Sequence, residues 1–125
     1  MNLSLDTHVL LWWLDDNPAL SEMGRSVISD VNNVIVLSAV VIWEIRIKQS
    51  IGKLEITPDF YQTIKTQGFE LLPIHPDHAY AVGDLPPHHR DPFDRMLIAQ
   101  AKHEGLCVVT HDSIFKKYDI ALLEI

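Results

Sequence analysis

Val34-Ile35-Val36-Leu37, bounded by Asn32-Asn33 and Ser38, is a β-branched run without polar alternation. A strand wetted on one face alternates apolar with polar residues, whereas an uninterrupted apolar run belongs to a strand covered on both faces. Helix signals flank it. Downstream, Ser38 is placed to cap a helix that runs to about residue 50 and stops at Gly52. Upstream, Pro18 after Asn17 opens a helix to about Val31. Further back, residues 1–5 form a short apolar segment that stops at Asp6, and a helix over 9–14 is opened by Thr7 or Asp6.

The same alternation continues to the end of the chain. Pro58 opens a helix to about residue 67, terminated by Gly68, and residues 70–74 read as a third strand. A short helix over 76–82 precedes Leu85-Pro86-Pro87-His88-His89-Arg90, which cannot continue a helix. A long helix then starts at Pro92 and ends near Gly105, followed by a strand over 107–110, a helical turn over 113–118 and an edge strand over 121–125. Apolar strands alternating with helices predict an α/β domain, a parallel sheet covered by helices on both faces.

Length and composition agree with that class. A chain of 125 residues is one domain, large enough to bury about two thirds of its unfolded surface without staples. Hydrophobic residues at 47% and charged residues at 22% suit a globular protein. Residues 1–14 lack a basic start, and their apolar run is short and ends at Asp15-Asp16, so neither a signal peptide nor a membrane span is expected and a cytoplasmic protein is. The single cysteine, Cys107, lies in an apolar run and reads as a small buried thiol. The formal charge of −7 opposes the basic footprint of a simple nucleic-acid-binding module. It is compatible with an enzyme that gathers acids around divalent cations, because metal reverses the sign of the local field.

Asp91-Pro92-Phe93-Asp94-Arg95-Met96-Leu97-Ile98-Ala99-Gln100-Ala101 joins a helix start to an apolar stripe. Pro92 at the first helical position makes Asp91 the N-cap and Asp94 the third helical residue. From Asp94, helical spacing leads to Leu97, Ile98 and Ala101, so this acid shares the core-facing side and reads either as a cap or as a ligand. In an open parallel sheet the ligand site lies beyond the carboxyl ends of the strands. Asp6 and Asp112 follow the first and fourth strands there, each open also to a capping role. Glu44 shares a helical stripe with Val40, Ile47 and Ile51 and reads as a ligand or as the partner of Arg46, Lys48 or a distant base. Asp6, Glu44, Asp94 and Asp112 thus come from four elements that can converge at one sheet edge. Such a cluster of like charges makes sense chiefly as a cage for hard cations, with Mg²⁺ or Mn²⁺ favoured over zinc. The chemistry it serves is hydrolysis of a phosphodiester. The seven histidines include no HExxH pair, so a zinc site is not expected. Adjacent Trp12 and Trp13 point about 100° apart on a helix, which predicts one in the core and one partly exposed.

Leu5-Asp6-Thr7-His8 with Trp12-Trp13, Trp43-Glu44-Ile45, His89 to Arg95 with Leu97-Ile98-Ala99-Gln100-Ala101, and Val109-Thr110-His111-Asp112 resemble the ordered motifs of PIN-domain ribonucleases. More narrowly they resemble the VapC-type toxins of type II toxin–antitoxin pairs, over nearly the whole chain. The resemblance implies a three-layer α/β/α PIN-like domain over residues 1–125 with a parallel sheet of four or five strands. It implies an endoribonuclease dependent on Mg²⁺ or Mn²⁺, RNA as substrate, a homodimer, and a small antitoxin that obstructs the site. Asp6, Glu44, Asp94 and Asp112 match the family's catalytic, metal-holding acids, with Thr110 matching the hydroxyl that supports the last acid and Asp91 beside the site. His8, His111 and Arg46 adjoin these motifs without an assigned role. The rival from another class is a catalytically silent PIN-like module that acts through protein partners.

Overall fold

The computed structural model describes residues 1–125. Five strands, β1 (Asn2–Leu5), β2 (Val34–Ser38), β3 (Glu70–Leu72), β4 (Cys107–Thr110) and β5 (Leu122–Glu124), form one sheet in the order β3-β2-β1-β4-β5. Every pairing is parallel, with Leu3 opposite both Ile35 and Cys107. Six helices flank the sheet in a three-layer α/β/α arrangement: α1 (Thr7–Leu14), α2 (Glu22–Ser29), α3 (Ala39–Ser50), α4 (Phe60–Thr66), α5 (Pro76–Ala81) and α6 (Pro92–Glu104). Short 3₁₀ turns cover Val82–Asp84 and Ser113–Lys117. The central strands are mostly apolar because helices cover both faces; Leu3, Leu5, Ile35, Val36, Leu37, Val108 and Val109 are all buried, with Ser4 a buried polar exception in β1.

Local chemistry starts the helices around the site. The side chains of Asp6, Ser38 and Asp91 accept the amides of Val9, Val40, and Phe93 with Asp94, respectively, satisfying donors that a helix start leaves without partners. Gly105 ends α6 in the left-handed region at φ +68°, where a side chain would be strained.

Two helix starts differ from expectation. Residues 18–20 are a turn, closed by the Asn17 side chain accepting the Ala19 amide and by the Leu20 amide donating to the Asn17 carbonyl. The turn buries Leu20, and Ser21, not Asn17, caps the helix, which ends at Ser29 before Val31. Likewise Pro58 stands in a turn closed from Phe60 to the Thr57 carbonyl, so α4 starts two residues later. The predicted third strand ends at Leu72, short of residue 74.

The order of strands reverses at β1. The chain passes from β1 to β2 to β3 in one direction and then crosses back to place β4 on the other side of β1. The connections leaving β1 and β4 therefore diverge, and the crevice between them is the position where open α/β sheets bind ligands.

Candidate active site at the sheet switch point

Asp6 and Asp112 leave the carboxyl ends of β1 and β4 at this crevice, joined by Thr110. The Thr110 hydroxyl donates to Asp6 Oδ2 and accepts the Asp112 amide at 3.0 Å. Asp6 Oδ1 accepts the Val9 amide at 2.9 Å. Asp6 is buried, and this burial raises its pKa above the ordinary value, with Asp112 adding to the rise, against the lowering effect of the Thr110 and Val9 hydrogen bonds. Asp112 is exposed; its Oδ1 accepts the Ile114 amide at 3.0 Å, and its second oxygen takes no protein donor.

Glu44 projects from α3 and is buried. Thr7, the residue after Asp6, donates to Glu44 Oε1 at 2.6 Å, and Lys48 donates to Oε2 at 2.5 Å. Of the basic partners the sequence offered, Lys48 is the one paired with Glu44. The Glu44 hydrogen bond is also the chief reason the Lys48 ammonium holds its proton more tightly than usual, with Asp91 and Asp94 contributing. The helical stripe that suggested a buried Glu44 runs outward instead: Val40 is buried, while Ile47 and Ile51 are exposed. Arg46 turns away and pairs with Gln49 at 3.0 Å.

Asp94 is partly buried beside Asp91 at the start of α6. Burial, then the neighbouring charge of Asp91 and that of Glu44, push its pKa up to about 6, partly offset by a 3.1 Å hydrogen bond from His89 to Oδ2. Its Oδ1 takes no protein donor. Asp91 spends one oxygen on its cap. The structure thus links Asp6 to Asp112 through Thr110, Asp6 to Glu44 through the adjacent Thr7, and Glu44, Asp91 and Asp94 around Lys48.

The four carboxylates do not close into a tight cage; the group whose ligand atoms all lie within 4.8 Å of one another is His78 on α5 with His103 and Glu104 at the far end of α6. Its chemistry argues against metal. The His75 amide donates to His78 Nδ1 at 3.0 Å, so the neutral ring carries its proton on Nε2, the nitrogen 3.8 Å from Glu104. A protonated ring nitrogen is a donor and cannot ligate. Burial lowers the His78 pKa from its ordinary value, against the raising effect of Glu104.

Other expectations are corrected. Trp12 and Trp13 are both partly exposed, Trp12 edge-on to His111 at 5.5 Å and Trp13 donating to Gln67 at 3.0 Å. Cys107 is half-buried, and burial pushes its thiol pKa up, away from nucleophilic character. Thr7 and His89 stand inside the motifs quoted above but their contacts to Glu44 and Tyr118 carried no sequence signal, and Tyr118 lies outside the motifs, because these contacts are distant along the chain.

A family model described as PIN domain matches residues 3–121. The chain belongs to the PIN domain family. Similar solved structures align with this PIN domain over nearly its whole length. VapBC2 from Rickettsia felis bound to a promoter DNA fragment has TM-score 0.75 and 16% identity, covering 100% of this chain and 99% of that one. FitAcB from Neisseria gonorrhoeae has TM-score 0.69 and 20% identity, covering 98% and 96%. VapBC-5 from Mycobacterium tuberculosis, a member of the VapBC family of toxin–antitoxin systems, has TM-score 0.60 and 22% identity, covering 99% and 98%. No curated protein matches by sequence. No helix of this PIN domain is long and apolar enough to cross a membrane.

Proposed function

We propose that this PIN domain is the toxin of a toxin–antitoxin pair, an endoribonuclease that hydrolyses RNA phosphodiester bonds with Mg²⁺ or Mn²⁺. The observation that supports this reading is the mutual influence of acids near the switch point: Asp112 adds to the raised pKa of buried Asp6, and Asp91 and Glu44 add to that of Asp94, so two of the acids are driven toward their neutral form. A site that penalises its own carboxylate charges favours a cation. The donor set suits a hard ion: all the candidate atoms are carboxylate oxygens, and Asp94 and Asp112 each keep one without a protein donor. Asp6, Asp94 and Asp112 would hold the ion, with Glu44 joining when Lys48 is released and Asp91 beside them. One or two carboxylates with waters and substrate phosphate suffice for Mg²⁺, so a closed four-acid cage is not required. When bound, such a cation polarises the phosphate and activates water for in-line attack. The chain's own residues do the rest: Thr110 and Val9 orient Asp6, and Thr7 orients Glu44.

An antitoxin is supported by a groove of about 620 Å³ lined by Ala39, Ile42, Trp43, Phe60 and Tyr61. Trp43 is half-exposed, adjoins Glu44 and packs edge-on against Phe93 at 5.2 Å, so an occupant of the groove borders the acids. A homodimer working in the cytoplasm completes the reading, and light scattering of the purified protein tests the dimer.

The deciding experiment is cleavage of total cellular RNA by antitoxin-free protein with Mg²⁺, Mn²⁺ or EDTA, alongside Asp94→Asn. Discrete fragments that require metal and vanish in the variant are expected. No cleavage by folded, metal-supplied protein refutes the nuclease and leaves the silent interaction module.

A further inference from the structure

Asp94 is held by a hydrogen-bond chain that runs through three residues in two parts of the sequence. Arg95 donates to the carbonyls of Pro86 at 2.8 Å and Leu85 at 3.2 Å, which pins its guanidinium under the loop before α6. Its Nη1 also lies 3.0 Å from the hydroxyl of Tyr118, a buried residue. The same hydroxyl is 2.7 Å from His89 Nδ1, and His89 Nε2 is 3.1 Å from Asp94 Oδ2.

Donor and acceptor rules give this chain one direction. The Asp94 carboxylate has only acceptors, so His89 Nε2 donates to it and Nδ1 of the neutral ring is left to accept; the Tyr118 proton goes to that nitrogen, while the Tyr118 oxygen accepts from Arg95, which has only donors. With Nδ1 accepting, the ring carries its proton on Nε2 and donates it to Asp94. Both ring nitrogens are then occupied, so His89 is neither a metal ligand nor a free base. Asp94 Oδ2 is engaged, and Oδ1 is the atom left without a protein donor.

We propose that Arg95, Tyr118 and His89 are positioning residues that orient Asp94 and reserve its Oδ1 for the cation. This rests on the nuclease reading above. The His88 and Tyr118 rings pack perpendicular to each other with centroids 4.9 Å apart, which braces the phenol without joining the chain.

The test variant is Tyr118→Phe, which keeps the buried ring and removes only the hydroxyl; Arg95 retains its carbonyl acceptors, so the fold survives. The first readout needs no metal: ¹⁵N NMR of the His89 ring at pH 8. The parent is expected to carry its proton on Nε2 alone, and the variant to show a mixture of tautomers. A proton on Nδ1 of the parent ring, in either charge state, overturns the chain. The second readout is Mn²⁺ affinity by electron paramagnetic resonance, with RNA kcat and KM. Loss of such an outer support costs about 10- to 100-fold in metal affinity or activity. The expectation is a loss of that size in Mn²⁺ affinity and kcat with KM for RNA unchanged. His89→Gln, which keeps a donor toward Asp94, is expected to recover part of what His89→Leu loses. Parent and Tyr118→Phe binding Mn²⁺ equally overturns the positioning role and leaves the nuclease reading intact. A parent that binds no Mn²⁺, like Asp94→Asn, overturns both.

Discussion

Asp94→Asn is expected to stabilise the metal-free protein while removing its activity. Burial, Asp91 and Glu44 raise the Asp94 pKa from 3.8 to about 6. Each unit corresponds to 1.36 kcal/mol, so ionised Asp94 costs the folded state about 3 kcal/mol relative to the unfolded chain. Removing a negative charge from the first turn of α6 gives back about 0.5 kcal/mol of helix-dipole stabilisation. The asparagine carbonyl still accepts from His89. The net gain is about 2 kcal/mol, a rise in Tm of roughly 6–10 °C for a domain of this size. The sign of the pH dependence follows from a folded pKa above the unfolded one: the folded state binds the proton more tightly, so the penalty is full above about pH 6 and fades as pH falls toward 3.8. Urea unfolding in EDTA, followed by circular dichroism at pH 8, 6 and 4.5, measures it. The gap between variant and parent is expected to be widest at pH 8 and to narrow by about 2 kcal/mol at pH 4.5, as the folded group takes up its proton. A variant less stable than the parent at pH 8, or a gap independent of pH, refutes the claim that the Asp94 charge is strained in the apo fold.

Lys48→Met leaves buried Glu44 without its cation and is expected to lose about 1–2 kcal/mol in EDTA, less than a fully buried pair would because Lys48 is half-exposed. Millimolar Mn²⁺ should restore much of that loss in thermal unfolding, because the ion takes the place of the ammonium; no recovery counts against Glu44 as part of the metal site. Asp112→Asn, at an exposed position, should abolish RNA cleavage while shifting Tm by less than about 2 °C. Gly105→Ala meets open space but a left-handed backbone, so urea unfolding should show a loss of about 1 kcal/mol.

These perturbations fall on two kinds of information. The sequence by itself determined the elements whose causes are local. The apolar run at Val34-Ile35-Val36-Leu37 announced a strand covered on both faces. Ser38, Asp91 and Asp6 cap their helices through bonds that span only two or three residues. The positions of Asp6 and Asp112 after strands were legible for the same reason. Where the local signal failed, packing decided: Asn17-Pro18 predicted a helix start, but the turn that buries Leu20 places the start after Ser21, which caps it. Tertiary structure alone decided that β4 lies beside β1, because strand order depends on which apolar faces close together and not on any residue's own preference. It likewise decided that Glu44 pairs with Lys48 and Thr7, not with Arg46. The chain from Arg95 through Tyr118 and His89 to Asp94 lies furthest from what a sequence can reveal. Its hydroxyl comes from a residue 29 positions from His89, and sequence separation carries no trace of a 2.7 Å contact made by folding.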